Sequence, residues 1–133
     1  MSDGSVLLDE IAQGSLSRLT SDGRIHVVAQ LGRGPNGAAI GPDGAVYVCN
    51  NGGFAWHTES DGCHRPIGQA LDYSGGRIER VDFTTDRSER VNESVDGLDL
   101  CGPNDLVFDA HGGFRFTDLD KVRASEMDRG DLF

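Results

Sequence analysis

The sequence predicts an all-β fold, a β-propeller of antiparallel four-stranded blades, and three internal repeats predict it. GPNGAAIGPDGAVYVCN (34–50) returns as GPNDLVFDAHGGFRFTD (102–118), 68 residues further on. The opening DGSVLL (3–8) is repeated by DGAVYV (43–48) at an offset of 40. GSLSRL (14–19) is echoed by GRIERV (76–81) at an offset of 62. Blade-sized units of four antiparallel strands recurring at about 40 residues are the sequence mark of a propeller.

Each element follows in order. Residues 5–8 form an apolar run after Asp3-Gly4, and Leu16 to Leu19 a second strand-like run. Thr20-Ser21-Asp22-Gly23 is a polar turn that leads to a further short strand. From Gly34 the order is strand, turn at Pro42-Asp43-Gly44, strand: a hairpin. The same hairpin recurs from Gly102, with its tip at His111-Gly112-Gly113. Between 53 and 75 an insertion, GFAWHTESDGCHRPIGQALDYSG, interrupts the repeat and is expected to be a solvated lid loop. The third strand then resumes at Gly76, and Thr84-Thr85-Asp86-Arg87 turns the chain into a fourth.

Composition agrees with this reading and excludes other classes. Nineteen of the 133 residues are glycine, with 37% apolar and 26% charged residues, which favours turns and strands. A formal net charge of −10 argues against nucleic acid, whose phosphates need clustered Lys and Arg. No apolar run approaches the length of a membrane span, and the start carries no signal-peptide pattern. Cys49, Cys63 and Cys101 are odd in number and lack paired spacing, so reduced thiols and a cytoplasmic location are expected.

The repeated Gly-Pro-Asn carries the chemistry. In a propeller the first strand of a blade lines the central channel, and proline suits a strand entrance because it lacks an N–H to leave unpaired. The following residue, Asn36 or Asn104, then stands at the channel mouth with an amide oxygen to offer. Oxygens gathered around an axis suit Ca²⁺, which takes six to eight of them; a simple turn cap is the competing role for both residues. Two other constellations are weaker. His57, Glu59, Asp61, Cys63 and His64 crowd the insertion without the spacing of a zinc site, and no GxSxG elbow supports a catalytic triad. Trp56 is either a pocket wall or a packing anchor, His111 lies on a hairpin tip, and Asp118 faces either a turn or the channel.

GPNDLVFDAHGGFRFTDLDK (102–121), GPNGAAIGPDGAVYVCNNGG (34–53) and DYSGGRIERVD (72–82) resemble the family of senescence marker protein, gluconolactonase and luciferin-regenerating enzyme. That resemblance implies six blades, of which this chain would hold about two and a half: 1–30 as the end of blade 1, 34–92 as blade 2 with its insertion 53–75, and 102–133 as the start of blade 3. It implies a hydrolase that opens sugar lactones, a small-molecule substrate and a divalent metal, most often Ca²⁺. By it, Asn104 matches a metal-contacting Asn, Asp105 is placed to orient that amide, and Asn36 occupies the equivalent place one blade earlier. The family's first-blade Glu and later Asn and Asp ligands have no counterpart here, and Glu10, lying after the second strand, is not a substitute. The expectation is therefore a fragment that is inactive alone and self-associates through open strand edges. A non-catalytic propeller scaffold is the alternative, and a related phosphotriesterase or esterase lies between the two.

Overall fold

The computed structural model describes residues 1–119, 121, 123 and 129–133. Residues 120, 122 and 124–128, within the expected 102–133 unit, lie outside the described residues.

All regular structure among the described residues is β. The first sheet holds β1 (Val6–Glu10), β2 (Ser15–Leu19) and β3 (Ile25–Gln30), in the order β1-β2-β3. The second is a full four-stranded blade: β4 (Pro35–Ile40) and β5 (Val46–Asn50) are followed, after the insertion, by β8 (Arg77–Asp82) and β9 (Arg87–Asn92), in the order β4-β5-β8-β9. The third is β12 (Pro103–Phe108), β13 (Phe114–Asp118) and β14 (Asp131–Leu132), in chain order. Every pairing in these sheets is antiparallel. β4 packs beside β1 on one side and β12 on the other, so the sheets stand as successive blades of a propeller arc.

The alternation along β5 explains why the blades stack. Val46 and Val48 point to one side and join Leu16, Ala29, Leu31 and Val81 in the core between the first and second sheets. Tyr47 and Cys49 point to the other, where Cys49 joins Ile78, Leu100, Leu106 and Phe116 between the second and third. Period-two alternation thus gives a middle blade two apolar faces. Tyr47, Phe108 and Phe114 add an aromatic cluster to the second core, with Tyr47 edge-on to Phe108 at 5.0 Å between ring centroids.

The insertion is not the loop expected from its polar composition. It forms a separate antiparallel hairpin of β6 (Phe54–Thr58) and β7 (His64–Gln69), with a turn closed by Gly62 N donating to Glu59 O at 3.0 Å. Phe54, Trp56 and Ile67 supply the strand-forming residues that the surrounding charges obscure. A second small ladder, β10 (Ser94–Val95) with β11 (Leu98–Asp99), also escapes the repeat pattern. Its turn is Asp96-Gly97, with φ of 50° and 83°, the left-handed pair that a two-residue hairpin turn requires.

Candidate functional site

The two Gly-Pro-Asn segments open β4 and β12, and each opens with a β-bulge. Pro35 pairs with Asn50, and regular pairing resumes only at Ala38 with Val48. Pro103 pairs with Asp118, and pairing resumes at Leu106 with Phe116. The residues in the two irregular stretches are Asn36-Gly37 and Asn104-Asp105. A bulge re-aims side chains that a regular ladder would hold in alternation.

The two amides meet. Asn36 Nδ2 donates to Asn104 Oδ1 at 2.7 Å, joining the entrances of neighbouring innermost strands. An amide oxygen has two lone pairs, so Asn104 Oδ1 keeps one available beyond this bond. Gly37 permits the approach: a Cβ there would sit 2.4 Å from Asp105 Oδ1 and 2.6 Å from Asn104 O. Asp105 is exposed, and its Oδ1 accepts from Leu106 N at 2.9 Å. No hydrogen bond joins its carboxylate to the Asn104 amide among the described residues, so Asp105 contributes charge beside Asn104.

Other carboxylates have structural duties. Asp118 is buried; its two oxygens accept from Cys101 N, at 2.8 Å, and from Gly102 N, which fixes the segment leading into Asn104. Asn50, its repeat equivalent, does similar work: Oδ1 accepts from Gly52 N at 3.0 Å, and Nδ2 donates to Leu31 O and to Glu79 Oε2. Glu79 in turn forms a buried ion pair with Arg77, whose Nη2 donates to Leu31 O at 2.7 Å. Glu10 Oε2 accepts from Ser15 Oγ at 2.7 Å and Ser17 Oγ at 2.6 Å, which holds its carboxyl below the usual range.

Three further residues escape a reading of the sequence. One is Gly37, whose need for smallness appears only when two blades are brought together. The second is Asp9 on β1, whose Oδ1 is buried without a hydrogen-bond partner. Burial first, and then the charge of Asp105, raises its carboxyl to about 7. Burial pushes the Cys49 thiol up, and the charges of Asp105, Asp9 and Asp118 add to the effect. The third is Lys121, only 2% exposed. Its Nζ lies 4.3 Å from the centroid of Phe54 and 5.3 Å from that of Tyr73, and donates to Asn51 Oδ1 at 3.4 Å. Burial lowers its amine to about 8, against the opposing influence of Asp118 and Cys101. Asp9 had a signal: the 40-residue repeat sets it opposite the core residue Cys49, an improbable place for an acid without a partner.

The insertion's polar residues are engaged in the hairpin itself. Thr58 Oγ1 and His64 Nδ1 are 3.1 Å apart, Asp61 Oδ1 accepts from Cys63 N, and Glu59 pairs with Arg65. Trp56 packs edge-on against Phe54 at 6.1 Å. Among the described residues no three of His, Cys, Asp and Glu gather as a metal cluster, and no disulfide forms. No helix of the described residues is long and apolar enough to cross a membrane.

A protein-family model described as the SMP-30/gluconolactonase/LRE-like region matches residues 1–133. The chain belongs to the SMP-30/gluconolactonase/LRE-like family. A search of curated proteins finds no match. Membership accounts for the succession of antiparallel blades. Within this SMP-30/gluconolactonase/LRE-like chain, the Asn36–Asn104 pair is a polar contact between the entrances of two neighbouring strands.

Proposed function

We propose that this chain provides channel-mouth residues of a metal-dependent hydrolase that opens sugar lactones, with Ca²⁺ as the metal. The observation that carries the reading is the 2.7 Å contact between Asn36 and Asn104, each set in a bulge at the start of an innermost strand. The donors fit the ion. Amide and carboxylate oxygens are the hard ligands Ca²⁺ prefers, Asp105 adds negative charge beside them, and Asp9 Oδ1 is a buried oxygen with no proton donor to satisfy it.

When bound, the cation polarises the lactone carbonyl and stabilises the charge that develops on its oxygen. The chain's own residues do the rest. Asn104 would hold the cation through its remaining lone pair, and Asn36 holds that amide in place through its Nδ2. Asp118 fixes the approach by binding Cys101 N and Gly102 N, so that Asn104 has one orientation before substrate arrives. The oxygens named here are fewer than the six to eight Ca²⁺ takes; water, substrate or further blades supply the others.

The test is hydrolysis of a five- or six-membered aldonolactone, followed by acid release at constant pH, with Ca²⁺ and after chelation. This chain alone is expected to be inactive; joined to the further blades that complete the propeller, it is expected to give Ca²⁺-dependent ring opening that falls by about 10²-fold or more in Asn104→Ala, as for loss of one charge-stabilising group. Hydrolysis that is indifferent to both chelation and this substitution would contradict the reading.

A further inference from the structure

Along β5, Val46 and Val48 face the first sheet and Cys49 faces the third, and all three are fully buried. The two outer sheets repeat these faces and leave them exposed. Offsets of 40 and 62 residues set Val6 and Leu8 at the places of Val46 and Val48, and Leu19 at that of Val81. Val6 pairs with Leu19 and Leu19 with Ile25, so one face of the first sheet carries an apolar row. Val6 is 52% exposed and Ile25 60%, while Leu8 and Leu19 are partly exposed.

The other end of the arc repeats the opposite face. An offset of 68 residues sets Thr117 at the place of Cys49 and Val107 at that of Ala39. Leu132 pairs with Thr117 as Ile78 pairs with Cys49. Ile78 is fully buried, yet Leu132 is 71% exposed and Val107 64%.

The internal contacts share one polarity. Val46, Val48 and Val81 pack on Leu16 of the sheet before them, and Leu106 and Phe116 pack likewise on Cys49 and Ile78. The arc therefore ends in one face of each kind, and the Val6 face of one copy meets the Leu132 face of another by the same contact. Head-to-tail contacts of this type either close a ring or run on as a filament. Propellers close with about four to eight blades. With three blade sheets among the described residues, two copies give six, whereas one or three copies fall outside that range. Surface area agrees: a folded monomer of 14.2 kDa exposes about 6,800 Å², and this chain exposes 8084 Å², an excess of about 1,300 Å². An interface of standard size takes about 800 Å² from each partner, so the excess nearly matches two such faces.

We propose that the Val6–Leu19–Ile25 face of the first sheet and the Val107–Leu132 face of the third form a self-interaction surface through which two copies of this chain close a six-sheet ring. The pairing is independent of the reaction proposed above.

Sedimentation equilibrium over a concentration series tests it, on the wild type, Val6→Glu, Leu132→Glu and His111→Glu. The wild type is expected to reach the mass of two copies and no more, and His111→Glu, altered at a hairpin tip on neither face, to match it. Val6→Glu and Leu132→Glu each damage both contacts of the ring, and each is expected to weaken association at least about tenfold, as for burial of an unpaired charge. An equimolar mixture of these two keeps one intact contact, so it is expected to form dimers under conditions where neither variant does alone. Val6→Ser and Leu132→Ser repeat the measurement if glutamate disturbs folding. A wild-type monomer at all concentrations leaves both faces to a different partner and overturns the proposal. Growth past two copies overturns the ring. A dimer that either substitution leaves intact overturns the faces, and a mixture that stays monomeric overturns the head-to-tail pairing.

Discussion

At Gly37 the side chain is missing because two backbones need the space. A methyl group there would meet the Asn104 carbonyl oxygen at 2.6 Å and the Asp105 Cα at 2.7 Å, backbone atoms that cannot swing aside as the Asp105 carboxylate, 2.4 Å away, can. Gly37→Ala is therefore expected to force β4 and β12 apart, at a cost of about 1–3 kcal/mol. Urea unfolding checks the magnitude, and loss of the Asn36–Asn104 contact would weaken Ca²⁺ binding in the same variant. Lys121 gives a prediction in pH. Its amine is lowered to about 8 when folded, against an ordinary value of 10.5, so between these values the unfolded chain binds more protons. Stability attributable to this group therefore rises with pH from about 8 to about 10.5, and it is reduced below that window. A Lys121→Met chain should lack that rise, read as the difference between the two proteins' urea midpoints across the range. Parallel curves would contradict it.

At the scale of the element, the sequence made the hairpins and the blade repeat plain because strand alternation and glycine turns are local signals. Pro42-Asp43-Gly44 and His111-Gly112-Gly113 turn where the repeat places them, and His111 is exposed. The two Asn residues were also legible, since each follows the proline that marks a strand entrance. Their meeting was not: a bulge shifts the register, and which side chains it brings together depends on the neighbouring blade. Asp118 shows the same limit. Its acidity suggested a turn or a channel group, and only the packed loop shows both oxygens committed to backbone N–H groups. Asp118→Ala is expected to orphan the Cys101 and Gly102 N–H groups and destabilise the chain by about 1–3 kcal/mol, with a parallel loss of order at Asn104. Equilibrium unfolding measures the first effect. The insertion hairpin escapes a reading of the sequence because Glu59 and Asp61 in its turn and Arg65 on β7 mask a short apolar alternation.

For the molecule as a whole, apolar surface remains uncovered on both sides of the arc. Val6 is 52% exposed on β1, an edge strand of its sheet, and Val107 and Leu132 are 64% and 71% exposed on the third sheet. An open groove there is lined by Leu106, Val107, Phe116 and Leu132 together with Asp105 and Arg115. Unpaired strand edges and apolar flanks pair with other chains when nothing covers them. Light scattering across a concentration series should therefore show association of this chain, and a monomer at all concentrations would contradict that. The interior is expected to behave as ordinary packed core: Leu16→Ala, at a fully buried position between the first two sheets, should cost about 2–5 kcal/mol in urea unfolding.

The central claim is that two bulged strand entrances from neighbouring blades build a cation site from their amides. Calorimetric titration of Ca²⁺ into this chain and into Asn104→Ala tests it most directly. The account predicts saturable binding by the first, at roughly micromolar affinity for a site with few charged ligands, and none by the second. Equal heats from the two proteins, or no binding by either, would contradict it.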